Sequence, residues 1–521
     1  MKKLILFSIV ITSLLYCQKN DVLQGISFFS PRSQSTDAAR YRVGWHPYIQ
    51  RTDFDSFYMT FAITPEFTKS FHADHIAQAL FGTDCLTISG SQAEVRMEND
   101  ILADYFGLST KFQSSVLLAP EIKNFISTFS FYFGFDKWIP GLYCMVHAPA
   151  VWTQWNFQME ETVLNDGSDT PFPIDYMDTQ EINAPYTSFI ESLRGNKTFG
   201  QMTELPKAGI ICGAQSKGGL SDLLLILGYD IVSRFRGSAG FNFRLAAPTG
   251  SRPTGHFFFE PLIGNGKHWE FGIGFTGRAL LWEKDGEQEL AMFIDMNFTH
   301  LFKARQCRSF DFCQDSQGFG SRFILLKQFN NNGDYTGTLI PAINVTTLSC
   351  DVRIDLQFEF LAMFGYTYNG FVADIGYNGW LRSKERICLN ECIPNATYGL
   401  KGIQNVITPA DQLSPITQST ATLHGNDFDQ MNAVADIDSP QFIQTSDLNL
   451  RSAASPFVLT HKLFGHLSYG FQENSSDWCI PYIGIGTSIE FEGINTANTK
   501  QPNRNTLSQW AIWLKGGIAF S

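Results

Sequence analysis

The chain's most persistent pattern is an alternation of apolar and polar residues with a period of two. Between Asp351 and Thr367, the residues Val352, Ile354, Leu356, Phe358, Phe360, Ala362, Phe364 and Tyr366 recur at every second position. Asp351, Arg353, Asp355, Gln357 and Glu359 fill the positions between them. Successive side chains of a strand point to opposite faces, so this run predicts a strand with one greasy face and one charged face. Asn369-Gly370 then supplies a two-residue hairpin turn. The next run places Phe371, Ala373, Ile375 and Tyr377 outward, against Asp374, Gly376, Asn378 and Arg382.

The same logic recurs along the chain. In His268–Trp282, Trp269, Phe271, Ile273 and Phe275 alternate with His268, Glu270, Gly272, Gly274, Thr276 and Arg278. Lys284-Asp285-Gly286-Glu287 turns the chain, and Leu290, Met292, Ile294, Met296 and Phe298 oppose Asp295, Asn297, Thr299 and Lys303. A further pair covers Leu220–Phe235, with Asp222, Asp230 and Arg234 on its polar side, and Ala239–Ala247, with Asn242 and Arg244. Phe125–Phe135 adds another strand, and Phe457–Gln472, Trp478–Phe491 and Leu507–Ser521 are the last three. Strands of soluble sandwiches average about five or six residues. These runs hold their alternation for the length that a tilted strand needs to cross a bilayer. The predicted fold is therefore all-β: a transmembrane antiparallel β-barrel of about 14 strands, within a range of 12–16, with a soluble β-sandwich as the competing fold.

Three stretches depart from the alternation. Ser30–Arg51, Asp74–Phe81 and Met97–Phe106 read as short helices, placed so that they can fold into the lumen. Gln158–Pro206 and Leu389–Ala454 are long polar insertions of the kind that face outward in such barrels. Lys2 and Lys3 precede an apolar run from Leu4 to Tyr16, too short to span a bilayer and suited to a cleaved signal. Leu14-Leu15-Tyr16-Cys17 resembles a lipoprotein box, with Tyr16 where that box needs a small residue. The expected organisation is a signal peptide at 1–17, an N-terminal periplasmic or plug segment at 18–55, and a barrel at 56–521.

Composition agrees with a wall between lipid and water. Aromatics make up 14% of the chain, with 47 Phe, and charged residues only 17%, against roughly 25% in soluble globular chains. The mean hydropathy of −0.08 is too polar for a helical membrane protein but natural for a wall that is half polar. The formal charge of −12 argues against nucleic acid as a partner.

Candidate chemistry follows from the polar face. Asp222, Asp230, Arg234, Arg244, Glu270, Arg278, Asp295, Lys303, Arg353, Asp355, Glu359, Asp374 and Arg382 are expected to line the lumen, where facing charges tune which solutes pass. Cys307 with Cys313, and Cys388 with Cys392, lie in polar stretches beyond strand ends and are expected to form loop disulfides. Asp427, Asp429, Asp436 and Asp438 read as a solvated acidic loop, lacking the glycine and terminal glutamate of an EF-hand. His72 and His75, in His-Ala-Asp-His, lack further obvious zinc ligands nearby and read as surface polar residues. Ala214-Gln215-Ser216-Lys217-Gly218 loosely resembles a nucleophile elbow, but strands flank it where that motif needs a strand running into a helix. No catalytic residue, metal or cofactor is expected.

The run APTGSRPTGHFFFEPLIGNGKHWE at 247–270, with the N-terminal insert and the strand count, resembles porin-like barrels and the FadL-type long-chain fatty-acid transporter family. The resemblance covers the barrel from about Ser56 onward. That family's Asn-Pro-Ala plug signature is missing from the N-terminal region, and no binding residue is carried over. The resemblance implies a bacterial outer-membrane channel for passive uptake of small or hydrophobic solutes, fatty-acid-like ones among them. Its partners would be outer-membrane lipid and the barrel-insertion machinery, and a homo-oligomer is compatible with it. The alternatives are a phospholipase-type outer-membrane enzyme and a structural or adhesive surface barrel.

Overall fold

The computed structural model describes residues 25–50, 57–97, 100–174, 176–195, 197–203, 209–234, 236–313, 321–401, 442–471, 478–493 and 507–520. Its main sheet contains fourteen strands. They are β1 (Tyr58–Ser70), β2 (Glu121–Gly134), β3 (Leu142–Asn156), β4 (Ala214–Leu220), β5 (Leu223–Arg234), β6 (Gly237–Ala247) and β7 (Glu270–Lys284), followed by β8 (Gln288–Ser309), β9 (Thr347–Tyr368), β10 (Phe371–Arg382), β11 (Glu385–Leu389), β12 (Val458–Gly470), β13 (Cys479–Glu492) and β14 (Gln509–Phe520).

Neighbours in the chain pair antiparallel, and β14 returns to β1 with Phe520 opposite Met59, which closes the sheet on itself. The ring has twelve positions. β4 and β5 lie end to end against β3, with Leu220 opposite Ala150 and Leu224 opposite His147. β10 and β11 share β9 in the same way. The expected continuous strand Leu220–Phe235 is thus broken at Ser221-Asp222. Among the described residues, closure leaves no unpaired edge in the twelve-position ring, as a bilayer requires of strands, while β4 and β11 pair on one side only.

The outward face is apolar around the whole ring: Ile63, Phe129, Leu227, Phe243, Ile273, Phe364, Ile375, Leu463, Ile485 and Ile512 are all exposed. So continuous an apolar belt exceeds any patch found on a soluble monomer and fits acyl chains. Trp138, Trp282, Tyr368 and Trp478 stand at one rim, and Trp152, Trp269, Phe491 and Trp510 at the other, as interfacial girdles do.

The two ends differ. At one end the described connections are short, at 135–141, 285–287 and 369–370. Asn369 and Gly370 both take positive φ, 45° and 79°, the conformation that a two-residue hairpin needs. At the other end, long connections fold into a cap. Its small sheets comprise Cys85–Ser89, Ile101–Leu102, Gln113–Leu118 and Met159–Asn165, and then Leu325–Phe329, Tyr335–Pro341 and Tyr398–Leu400. Phe81, Phe106, Phe112, Phe157, Phe172, Phe258 and Leu325 are buried in its core. Short turns on the periplasmic side and long loops outside are the rule for such barrels.

Ala73–Phe81 is a helix, as expected, but packs into the cap and not the lumen. Met97–Phe106 yields only the two-residue strand Ile101–Leu102 and a single 3-10 turn, Ala103–Phe106. Gly107, at φ 74°, ends that turn. The Asp104 carboxylate accepts from Ser91 and from Tyr176, the latter at 2.7 Å, which ties the turn into the cap. The expected signal peptide and the acidic loop Asp427–Asp438 lie outside the described residues.

Where β8 and β9 leave the belt, their faces exchange. Gln357, Glu359, Leu361 and Met363 point inward and are buried. Beyond Asp355-Leu356, Cys350, Val352 and Ile354 are the buried ones. The partner strand carries register shifts on either side of Leu301. A one-residue slip flips every side chain that follows. The flip suits the surroundings, since beyond the bilayer water faces the outer side and the cap core faces the inner side.

Candidate functional site

Residues 25–50 run through the middle of the ring. Their start belongs to the cap: Phe29 is buried against Trp155 and Phe259, and Ile26 N donates to Ala79 O at 2.9 Å. Their end reaches the short-turn rim, where Gln50 N donates to the Tyr132 hydroxyl at 2.9 Å and Gln50 Nε2 to Asp230 Oδ1 at 3.1 Å. Between them, Ala38–Arg42 forms one buried helical turn. Asp37 caps it by accepting from Arg40 N at 3.2 Å, a standard role for aspartate. Lys515 of β14 caps the other end, donating to the carbonyls of Arg40, Tyr41 and Val43 at 3.1, 3.0 and 2.8 Å. A cation belongs there, because those carbonyls lack helical partners and carry the negative end of the dipole.

Ion pairs anchor this segment to several strands. Arg32 pairs with Glu359 on β9 and, at 3.1 Å, with Glu490 on β13, and it donates to Asn378 on β10 at 2.8 Å. Asp37 lies 2.8 Å from Lys462 on β12, which also faces Glu490 at 3.5 Å. Arg40 pairs with Glu66 on β1. All of these side chains are buried or nearly so, and a buried charge persists only when paired in this way.

Several of the sequence-derived lumen residues meet the same segment. Asp222 accepts from Ser33 and Ser35 at 3.1 and 3.2 Å. Asp374 accepts from Gly44 N at 2.7 Å and stands 2.9 Å from His46 Nε2. Arg382 donates to Ser30 O at 3.0 Å, and Glu359 and Asp230 take part as described above. Arg244, Glu270 and Asp295 are buried on the inner face, where Glu270 accepts from Gln357 at 3.1 Å. Arg234 and Arg278 border a cavity of about 430 Å3 at the short-turn end, together with Arg42, His46, Gln50 and Glu289. Arg278 pairs there with Glu289 at 2.9 Å.

Three expected lumen residues are not in the lumen. Lys303 is exposed and pairs with Asp351 at 2.8 Å. Arg353 is exposed beside Asp355, whose carboxylate lies 2.5 Å from Arg386. All three sit beyond or at the register change of β8 and β9, on the outer, wetted face. Neither expected disulfide is formed, because Cys313, Cys388 and Cys392 carry free thiols. Cys307 and Cys388 are held within ladders, opposite Ser349 and Asp351, so neither is at a loop tip free to turn toward its neighbour in sequence.

Four wall anchors, Glu66, Lys462, Glu490 and Lys515, were not among the residues expected from the sequence to line the lumen. Their signal was present: each is a charge at an inward position of an otherwise two-sided strand, where an ionisable group is costly and needs a reason. Arg32, Asp37 and Arg40 had no such signal, because a short polar helix looks the same on a surface.

Neither a family model nor a curated protein matches this chain. Among solved structures, an outer membrane channel from Pseudomonas putida F1 is similar at 8% identity over 90% of this chain and 99% of that one, with a TM-score of 0.34. A deltaS2S3 mutant of the TodX monoaromatic hydrocarbon channel is similar at 8% identity over 95% and 97%, with a TM-score of 0.32. A FadL homologue of Pseudomonas aeruginosa follows at 7% over 89% and 90%, with a TM-score of 0.24. The fold itself rests on this chain's own ladders: a closed β-barrel of the bacterial outer-membrane type, its interior occupied by its N-terminal segment.

Proposed function

We propose that the chain is an outer-membrane channel that lets small or hydrophobic solutes cross passively, with residues 25–50 as its plug. One observation carries this reading. The closed ring encloses a separate segment that packs against the inner wall in two apolar clusters, through Tyr41, Trp45 and Ile49 and through Ala38, Ala39 and Val43, and that is tied to the strands by buried ion pairs and hydrogen bonds. Such polar contacts can be exchanged for water or solute as the segment shifts, whereas a core packed wall against wall could not open without unfolding. The cavity of about 430 Å3 would be the periplasmic vestibule. Asp222, Asp230, Arg234, Arg244, Glu270, Arg278, Asp295, Glu359, Asp374 and Arg382 would set its selectivity.

The test is single-channel conductance in planar bilayers. Full-length protein should be closed for most of the time, and a variant lacking residues 25–50 should conduct openly. A shortened barrel that inserts and stays silent would sink the proposal. That silence would favour the alternative of a structural surface barrel, which the large cap of long connections supports.

A further inference from the structure

The tertiary fold adds a partner to a histidine pair that the sequence leaves isolated. His72 follows β1 at the long-loop end, and His75 lies in the first turn of helix Ala73–Phe81. Their rings stack with centroids 4.7 Å apart and planes 10° apart. Asp74 reaches both, with one oxygen 3.9 Å from His72 Nδ1 and the other 3.6 Å from His75 Nε2. One ligand atom from each of the three lies within 4.8 Å of the others. A tetrahedral zinc site with bonds near 2.0–2.1 Å needs its ligand atoms about 3.3 Å apart. The side chains therefore have to close by up to about 1.5 Å, and His72 and Asp74 are exposed enough to do so.

The fourth group comes from the far end of the chain. Glu492, the last residue of β13, places Oε2 3.2 Å from His75 Nδ1, and its side chain is only 6% exposed. Ser508 holds the two elements in place: Phe71 N donates to its carbonyl at 3.0 Å and Glu492 N to its hydroxyl at 3.2 Å. The buried carboxylate stands beside Nδ1, and Nε2 is the ring atom turned toward Asp74. This is the arrangement by which metal-ligating histidines are oriented and made more basic.

We infer that His72, Asp74 and His75 form a binding site for a divalent transition ion of the zinc class at the rim of the cap, with Glu492 as the outer partner of His75. The ligand set has two imidazoles and one carboxylate, with the remaining coordination open to water. It suits zinc and excludes calcium and magnesium, which take oxygen ligands. Occupancy would link the first long loop to the β13 end of the wall.

The test uses full-length protein without a polyhistidine tag, treated with chelator and then titrated with zinc chloride by calorimetry and with cobalt chloride by visible absorption. One zinc per chain is expected, with cobalt absorption bands typical of imidazole and carboxylate ligands. The double variant His72→Ala, His75→Ala should bind at least tenfold more weakly, and Glu492→Gln about tenfold more weakly. Both variants should keep the heat-dependent gel mobility of a closed barrel. Absence of stoichiometric binding in the unaltered protein, or unchanged binding in the double variant, overturns the site. Unchanged binding in Glu492→Gln overturns the role given to that residue.

Discussion

Lys462 of β12 places its ammonium 2.8 Å from the carboxylate of Asp37, the residue that also caps the helical turn inside the barrel. One wall lysine thus holds the start of that helix, while Lys515 holds its end. Removing one member of a buried pair leaves the other charge uncompensated, at a cost of about 3–5 kcal/mol. Lys462→Met should therefore loosen residues 25–50 while the barrel stays closed. The expected readouts are more frequent channel openings and faster protease cleavage within 25–50. An unchanged cleavage rate would show that the remaining anchors suffice without this pair.

The register change in β8 and β9 marks the edge of the lipid-facing belt, and substitutions on either side of it should behave oppositely. Ile485 is about half exposed near the middle of β13. Ile485→Arg should destabilise the barrel by about 2–4 kcal/mol, the cost of arginine near the bilayer midplane. Arg353→Ile, on the outer face beyond the change, should shift stability by no more than about 0.5 kcal/mol. Urea unfolding in lipid vesicles measures both. A large loss for Arg353→Ile would place that residue in the lumen after all.

Two lysines make the cap sensitive to pH. Lys327 and Lys401 are buried within it. Burial pushes Lys327 down to about 6, with Lys401 adding repulsion. Burial also pushes Lys401 down to about 7, against the pull of Asp104. In an unfolded cap both would titrate near 10.4. Between these values the unfolded form binds more protons, so stability rises with pH from about 6 to about 10 and falls on acidification through that window. Cap-specific proteolysis should be slower at pH 9 than at pH 6. The double variant Lys327→Met, Lys401→Met should flatten the difference, and an equally steep profile in that variant would assign the effect to other groups.

Thiol accessibility checks the absence of loop disulfides. Cys85, Cys313, Cys388 and Cys392 are exposed and Cys350 is buried. A maleimide reagent applied to the folded protein should label the first four and spare Cys350. Mass spectrometry showing Cys388 joined to Cys392 would restore the pairing expected from their spacing.

The sequence by itself determined the strand alternation, the lipid-facing belt and the antiparallel order, because period-two patterning is local and needs no knowledge of the partner strand. Asp222, Glu359 and Asp374 were legible as inward residues for the same reason. Only the tertiary structure decided that the ring closes at twelve positions, with Ser221-Asp222 and the break before Glu385 splitting two of its strands. It also decided that alternation reverses beyond Leu356, which carries Lys303, Arg353 and Asp355 to the outer face. A bulge adds one residue to a ladder and leaves no mark in the alternation of a single strand. The pairing of Asp37 with Lys462, or of His75 with Glu492, depends on closure of the ring, which brings together residues more than four hundred positions apart.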